Sequence, residues 1–161
     1  MLHYSRIEKK IVDISTLGRM IHVWRFQDKK IVFTNGCFDI LHRGHIHLLA
    51  AAKDFGDVLI VGLNTDASVS RLKPGRPLQD EITRSIVMAS NSLVDAVILF
   101  NEDTPLELIK AIKPNVLVKG GDYKPETVVG ADVVRASGGK VEIVQLLEGF
   151  STTAIEQKIK K

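Results

Sequence analysis

Short apolar runs alternate with more polar, amphipathic segments along most of the chain. Five runs are rich in valine and isoleucine and almost continuously hydrophobic: residues 31–34, 58–63, 96–100, 116–118 and 141–144. Such runs are typical of strands buried on both faces of a parallel sheet. Helix-like segments lie between and after them, at residues 44–53, 66–72, 80–90, 105–112, 125–136 and 151–160. This alternation predicts an α/β fold with a doubly wound parallel sheet of about five strands, whose ligands bind beyond the carboxyl ends of the strands.

The first 28 residues precede this pattern and predict a helical lead-in, which leaves residues 29–161 as one domain. Ser15 or Thr16 could cap a lead-in helix whose apolar face carries Leu17, Met20, Ile21, Val23 and Trp24. This helix could form an interface or cover the edge of the sheet. The starting Met1 favours a natural standalone protein over an excised domain.

Composition narrows the class of protein and its partners. The 161 residues are 45% hydrophobic and 25% charged, as expected of one globular domain. Cys37 is the only cysteine, which excludes an intrachain disulfide and a cysteine-based metal site and favours a reducing cytoplasm. Neither a signal peptide nor an apolar run of roughly 20 residues is present, so no membrane association is expected. The net charge of +3 suits a phosphorylated substrate and is too small for a dedicated nucleic-acid binder.

The chemistry is concentrated in residues 34–45, which leave the first predicted strand and enter a helix. His42 and His45 are three residues apart and would share one face of the helix start. Gly36 permits close approach of a ligand or an unusual dihedral angle, and Gly44 removes a side chain beside the imidazoles. A helix N-terminus with two imidazoles could bind phosphates and stabilise negative charge developing at phosphorus.

Two other interpretations of these residues stay open at this point. The two histidines could be metal ligands, although no third or fourth ligand is evident nearby. Asp39 could simply cap the helix. The remaining histidines, His3, His22 and His47, are interpreted as structural.

The run Gly36-Cys-Phe-Asp39-Ile-Leu-His42-Arg-Gly-His45 resembles the G-x-F-D-x-x-H-x-G-H signature of the HxGH nucleotidyltransferase superfamily. The resemblance implies a Rossmann-like nucleotidyltransferase fold. It also implies that both histidines contact nucleotide phosphates and stabilise the transition state, and that Asp39 lies near the metal–triphosphate or acceptor region. Residues expected around the nucleotide are Asn35, Gly36, Cys37, Phe38 and Gly44.

The C-terminal segment Gly149-Phe-Ser-Thr-Thr153 is similar to a second signature of the superfamily, G-x-S-T-T. By itself, Ser151-Thr152-Thr153 is a good helix cap that could also donate hydrogen bonds to phosphate. By resemblance, these three residues close over the nucleotide. Cytidylyltransferases extend the signature to R-T-x-G-x-S-T-T. Here Leu146 occupies the arginine position, which favours ATP over CTP.

Three further segments follow strands and complete the predicted site. By resemblance, Asp66 after the second strand lies on the substrate side, and Lys73 in the loop of residues 71–77 matches a lysine that contacts the triphosphate. Arg84 matches a helix arginine near the triphosphate, although an ordinary surface role competes. After the fourth strand, a tight turn with exposed N–H groups would suit a base or ribose; it contains Lys119, Gly120, Gly121 and Asp122.

Residues 118–123 and 102–109 resemble the heptose adenylyltransferase branch, whose members usually follow a sugar kinase domain in bifunctional ADP-heptose synthases. The resemblance implies transfer of AMP from ATP to D-glycero-β-D-manno-heptose 1-phosphate in lipopolysaccharide core synthesis. It also makes a homodimer a candidate assembly. Mg²⁺ is expected with ATP, with Asp39 and Asp122 as candidate protein ligands.

Other functions remain open on the sequence alone. The acceptor could be glycerol 3-phosphate or FMN, with either ATP or CTP as donor. The fold could serve as a non-catalytic nucleotide-binding module, which the intact histidines disfavour. A tRNA-ligase-like core would need a longer and more basic chain.

Overall fold

The computed structural model describes residues 1–147, 149–150 and 152–159. Its strands are β1 (Ile31–Gly36), β2 (Val58–Asn64), β3 (Ala96–Phe100), β4 (Val116–Gly120) and β5 (Lys140–Val144). They form one parallel sheet in the order β3-β2-β1-β4-β5. The helices are α1 (Leu2–Glu8), α2 (Ile14–Phe26), α3 (Arg43–Asp54), α4 (Asp66–Leu72), α5 (Glu81–Ala89), α6 (Leu106–Ile112), α7 (Ala131–Ala136) and α8 (Thr152–Ile159). The predicted α/β parallel sheet of five strands is confirmed.

Two hydrophobic cores cover the two faces of the sheet. Successive side chains of a strand point to opposite faces, so Ile31 and Phe33 enter one core while Val32 enters the other. The first core takes apolar residues from α2, α6 and α7, and the second takes them from α3 and α5. This double burial explains why the strand sequences are almost continuously apolar.

β1 lies at the centre of the sheet. Successive strands are added on one side of β1 up to β3 and on its other side from β4 onwards. β1 pairs in register with β2, from Ile31 opposite Val58 to Gly36 opposite Leu63, and with β4 on its other side. Connections before and after this point run to opposite sides of the sheet, so a crevice opens beyond the carboxyl ends of β1 and β4. The motif of residues 34–45 begins at this crevice.

The lead-in packs onto the domain and covers one edge of the sheet. Between α1 and α2, the Val12 N–H donates to the Val97 carbonyl at 2.9 Å, and the Val97 N–H donates to the Lys10 carbonyl at 2.8 Å. Leu17 and Ile21 of α2 are buried in the first core. The backbone of residues 10–12 therefore extends the sheet beside β3, which agrees with the edge-cap alternative.

Two predicted helix boundaries were wrong for local reasons. Asp13, not Ser15 or Thr16, caps α2, and its carboxylate accepts from the Thr16 N–H at 2.7 Å. The predicted helix of residues 125–136 divides into a 3₁₀ turn, Pro125–Thr127, and α7. Gly130 separates them with a φ of 83°, because a left-handed residue cannot continue a right-handed helix. In the described part of the chain, no helix is long and apolar enough to span a lipid bilayer.

Candidate active site

The loop from β1 into α3 contains a strained residue that the sequence pattern did not indicate. Phe38, not Gly36, has a left-handed backbone, with a φ of 45°. A β-carbon on Gly36 would lie 3.0 Å from the Phe38 ring, so the glycine accommodates this buried aromatic side chain. The Phe38 ring in turn meets the His45 ring edge-on, with centroids 5.2 Å apart. Strain of this kind persists only where the surroundings hold it, and it concentrates at functional sites.

The two signature histidines lie against each other at the start of α3. Their rings stack with centroids 3.8 Å apart and planes inclined by 21°. His42 is the N-cap, and its Nδ1 accepts from the Gly44 N–H at 3.1 Å. Since Nδ1 is the acceptor, the neutral ring carries its proton on Nε2, which can donate to a ligand. A β-carbon on Gly44 would approach the His42 ring to 3.0 Å, so a larger residue at this position would require the ring to shift.

Both imidazoles are neutral at pH 7. The pKa of His45 is lowered to about 4, first by burial and then by the adjacent His42, against a smaller opposing effect of the Ile40 backbone. Burial also lowers the pKa of His42. A bound phosphate would raise both pKa values, because an adjacent negative charge favours the protonated ring. The histidines are therefore neutral hydrogen-bond donors in the free protein. Binding of an anion would favour their protonated, positively charged forms.

Two lysines contribute positive charge to the site. Lys73 follows α4, and Lys119 lies on β4 with its Nζ 3.4 Å from the Asn35 Oδ1. Burial lowers the pKa of Lys119, and the charge of Lys73 adds to this effect, while Cys37 opposes it. No described carboxylate forms a salt bridge with either lysine. The pair is thus suited to an anionic ligand.

Two adjoining cavities share this cationic wall, with volumes of about 680 and 480 Å³. The larger extends past His45 towards Thr152 of α8, and the smaller extends past Asn64 towards Asp103 and Thr104. Their shared wall consists of Asn35, Gly36, Cys37, Leu72, Lys73, Lys119 and Tyr123. A ligand in either cavity could therefore contact the two lysines.

Asp39 is engaged with the protein itself. Its carboxylate accepts from the Arg76 guanidinium at 2.8 Å and from the Leu78 and Gln79 N–H groups at 2.8–3.0 Å. Burial acts to raise the pKa of Asp39, but the hydrogen bonds from Arg76 and these amides outweigh it and lower the pKa. Arg76 also pairs with Glu156 of α8. Asp39 lines the larger cavity yet mainly anchors the loop that joins it to α8.

Arg84 and Asp66 form a second internal network. The Arg84 side chain is 0% exposed, and it donates to the Cys37 carbonyl at 2.7 Å, the Gln79 carbonyl at 3.0 Å and the Asp66 carboxylate at 2.7 Å. Neither Arg84 nor Asp66 lines either cavity. The structure does not bring these two residues to the histidines, and their assigned roles at the triphosphate and acceptor stay predictions.

The turn after β4 is divided between the cavity and the surface. Lys119 and Gly120 line the larger cavity. Gly121 has a φ of 128° and donates its N–H to the Val144 carbonyl at 3.0 Å. Asp122 is exposed and outside both cavities, which does not favour its candidacy as a metal ligand.

The C-terminal signature is described only in part. Thr152 lines the larger cavity, as the resemblance implies. Ser151 and the side chain of Thr153 lie outside the described residues. Leu146 also lines this cavity, where it presents an apolar surface.

The sequence reasoning missed several cavity residues. Asn64, Asp103 and Tyr123 line the smaller cavity, and Arg76 and Glu156 line the larger. Asn64 is the last residue of β2 and Asp103 comes three residues after β3, so their place at a strand end was an available signal. Glu156 lies four residues beyond Thr152, one helical turn away, and only the fold brings it to Arg76.

The chain is similar in sequence to a known family and to curated proteins. The model of the family described as "Cytidylyltransferase-like" matches residues 33–158. The protein is 60% identical over 147 residues to "Bifunctional protein HldE" of Caulobacter vibrioides, covering 91% of this chain and 30% of the relative. The corresponding protein of Geobacter metallireducens is 54% identical over 157 residues, covering 97% and 32%. The chain thus spans about a third of the length of these curated relatives.

Two solved structures share the fold. One is the "lipopolysaccharide core biosynthesis protein from Thermoplasma volcanium GSS1", at 31% identity and a TM-score of 0.59, covering 74% of this chain and 97% of that one. A pantoate-beta-alanine ligase from Francisella tularensis, at 17% identity and a TM-score of 0.61, covers 93% and 76% and supports the fold alone. With the family model over residues 33–158 and the stacked histidines of its signature in place, the chain belongs to the cytidylyltransferase-like family of nucleotidyltransferases.

Proposed function

We propose that this protein is an adenylyltransferase that joins AMP from ATP to D-glycero-β-D-manno-heptose 1-phosphate, giving ADP-heptose and pyrophosphate. The observation that carries the chemistry is the cationic wall between two cavities, next to the stacked pair of histidines. The relatives named "Bifunctional protein HldE" and the Thermoplasma lipopolysaccharide core biosynthesis protein support a substrate in that pathway. Cytoplasmic location and a homodimer are part of the proposal.

The reaction is an in-line displacement at phosphorus. An oxygen of the sugar phosphate attacks the α-phosphorus of ATP, the bond to the bridging oxygen breaks, and pyrophosphate leaves with that oxygen. No covalent enzyme intermediate is required, so the protein's contribution is positioning and charge stabilisation. His42 and His45 would donate hydrogen bonds to the transferring phosphoryl group, and Lys73 and Lys119 would balance the charge of both substrates.

Mg²⁺ would enter as MgATP, as part of the substrate. The described residues contain no group of three His, Cys, Asp or Glu side chains arranged to hold a metal ion. Asp39 has its oxygens engaged by Arg76 and two amides, and Asp122 lies outside the cavities. Mg²⁺ binds readily through phosphates and water with few carboxylates, so the residues fit delivery of the ion by the nucleotide.

ATP is the proposed nucleotide because Leu146 replaces the cytidylyltransferase arginine and lines the larger cavity. An apolar side chain offers contact to a base without a hydrogen bond specific to cytosine. The larger cavity, between His45 and α8, is the proposed nucleotide site.

The test is pyrophosphate release with MgATP or MgCTP against heptose 1-phosphate, glycerol 3-phosphate, FMN and 4′-phosphopantetheine. We expect release only with ATP and heptose 1-phosphate. His42→Ala should lower kcat by roughly 10²–10³-fold, the cost of removing a transition-state donor. His47→Ala is the matched control, an exposed histidine on the same helix, and should leave kcat unchanged. Release with another acceptor would overturn the substrate, and ATP binding without release for any pair would support a binding module instead.

A further inference from the structure

We propose that the smaller cavity binds the acceptor sugar and that Asp103 and Thr104 at its rim select for sugar hydroxyl groups, with Arg71 as the residue that positions Asp103. This inference rests on the proposed transfer reaction and specifies its second substrate site. It assigns roles to three residues that the sequence alone left without one.

The location follows from the shared wall. Lys73 and Lys119 line both cavities, so a phosphate group in each cavity could contact the same two lysines. The larger cavity contains His45 and Thr152 and is assigned to the nucleotide. An acceptor phosphate at the same lysines would place its sugar in the smaller cavity, whose volume of about 480 Å³ is typical of small-molecule sites.

The lining of the smaller cavity suits a polyol. Its lining combines apolar surface from Pro105, Val128 and Val129 with polar side chains. Asp103 and Thr104 supply a carboxylate and a hydroxyl there, and both are exposed enough to exchange water for a ligand. A carboxylate accepts strong hydrogen bonds from hydroxyl groups, and it would repel an acceptor with a second anionic group at that end.

The rim carrying Asp103 is held in place before any ligand binds. Arg71 donates to the Asp103 carboxylate at 2.9 Å and also to the Asn101 carbonyl. Thr65 donates to the Asn101 Oδ1 at 2.8 Å, and the Ser68 hydroxyl donates to the Glu102 carbonyl at 3.0 Å. One carboxylate oxygen of Asp103 is thus fixed by Arg71, while the second has no described hydrogen-bond donor and could accept from a sugar hydroxyl.

Steady-state kinetics with ATP and heptose 1-phosphate test these assignments. Asp103→Asn should raise the KM for the sugar phosphate about tenfold to a hundredfold, the loss of a hydrogen bond to a charged group, with the KM for ATP unchanged. Thr104→Val should act in the same direction. Glu107→Gln is the matched control, an exposed carboxylate nearby that lines neither cavity, and should change neither constant.

The role of Arg71 is tested by combining its substitution with that of Asp103. If it acts through Asp103, Arg71→Ala should raise the same KM, Arg71→Lys should restore part of it, and the double variant with Asp103→Ala should be no worse than Asp103→Ala alone. An unchanged sugar-phosphate KM in Asp103→Asn, while His42→Ala still abolishes turnover, would overturn this inference and leave the proposed function intact. If the wild type uses a different acceptor, the substrate proposal fails, and the same variants decide the rim assignment with that acceptor.

Discussion

Replacing Arg84 distinguishes two roles for this residue. The sequence predicts contact with the triphosphate, and the structure indicates a scaffold residue. The motif match places this arginine at the triphosphate, whereas the structure buries it completely on α5, with its guanidinium against the β1–α3 loop. If it is a scaffold residue, Arg84→Ala should lower stability first and activity as a consequence.

The size of the stability loss follows from the three partners. The Cys37 and Gln79 carbonyls would each lose a charged donor, at about 1–3 kcal/mol for a buried acceptor left unpaired. Asp66 is 39% exposed and can be resolvated, so its ion pair adds less. A total of ~3–5 kcal/mol matches the cost of breaking a buried pair and corresponds to a fall in Tm of roughly 6–20 °C for a domain of this size.

The assay combines thermal and urea unfolding with pyrophosphate release below the variant's Tm. Arg84→Lys, which keeps the charge but not the three-way geometry, should fall between the wild type and Arg84→Ala in stability. Arg19→Ala, at an exposed arginine of α2, is the control and should unfold like the wild type. An unchanged Tm in Arg84→Ala with a hundredfold loss of kcat would refute the scaffold reasoning and restore direct contact with the triphosphate.

Three further variants test the site. Gly44→Ala should lower kcat roughly tenfold to a hundredfold without loss of stability, because its β-carbon would displace the His42 ring from 3.0 Å while alanine is the better helix former. His45→Asn should flatten the pH dependence of stability: the wild type loses stability as pH falls from 6.5 to about 4, since the unfolded ring protonates first. Glu156→Gln should raise the KM for ATP about two- to fivefold by weakening its ion pair with Arg76.

Each of these three variants has a result that would contradict its prediction. Gly18→Ala, in α2 with no atom within 4 Å of the added carbon, should keep full activity, and equal activity in Gly44→Ala would contradict the packing argument. Parallel stability curves for wild type and His45→Asn between pH 6.5 and 4 would show that this ring does not titrate as described. For Glu156→Gln, a loss confined to kcat would mean that the ion pair does not hold the nucleotide side of the cavity.

The fold was readable from the sequence because both faces of the sheet are buried. Valine- and isoleucine-rich runs of strand length predicted all five strands to within a few residues. Boundaries set by single side chains were less accessible, since Asp13 and Thr16 could each begin α2 on composition alone. The break at Gly130 depends on a left-handed dihedral and on close contact with Ile109, neither of which is a local pattern.

The site was readable where a motif is contiguous. The histidine pair and Gly44 came together as their spacing predicted, and so did the glycine turn after β4. The networks around Asp39 and Arg84 join residues 18 or more positions apart, or pass through backbone carbonyls, so side-chain identity alone did not indicate them. A charged residue at a motif position can therefore serve the loop that carries the motif.

The position of β1 within the sheet implies a difference between two parts of the site. The part at the end of β1, with the histidines, should resist local unfolding more than the part next to β5 and α8. β1, which leads to the histidines, is hydrogen-bonded to a strand on each side, and the outer edge of β3 is covered by residues 10–12. β5 pairs on one side only within the described residues, and it leads towards α8. Amide hydrogens of β1 should accordingly exchange at rates approaching global unfolding, and those of β5 sooner. Pyrophosphate and product could then depart past the β5 and α8 side while the imidazole pair stays assembled for the next turnover.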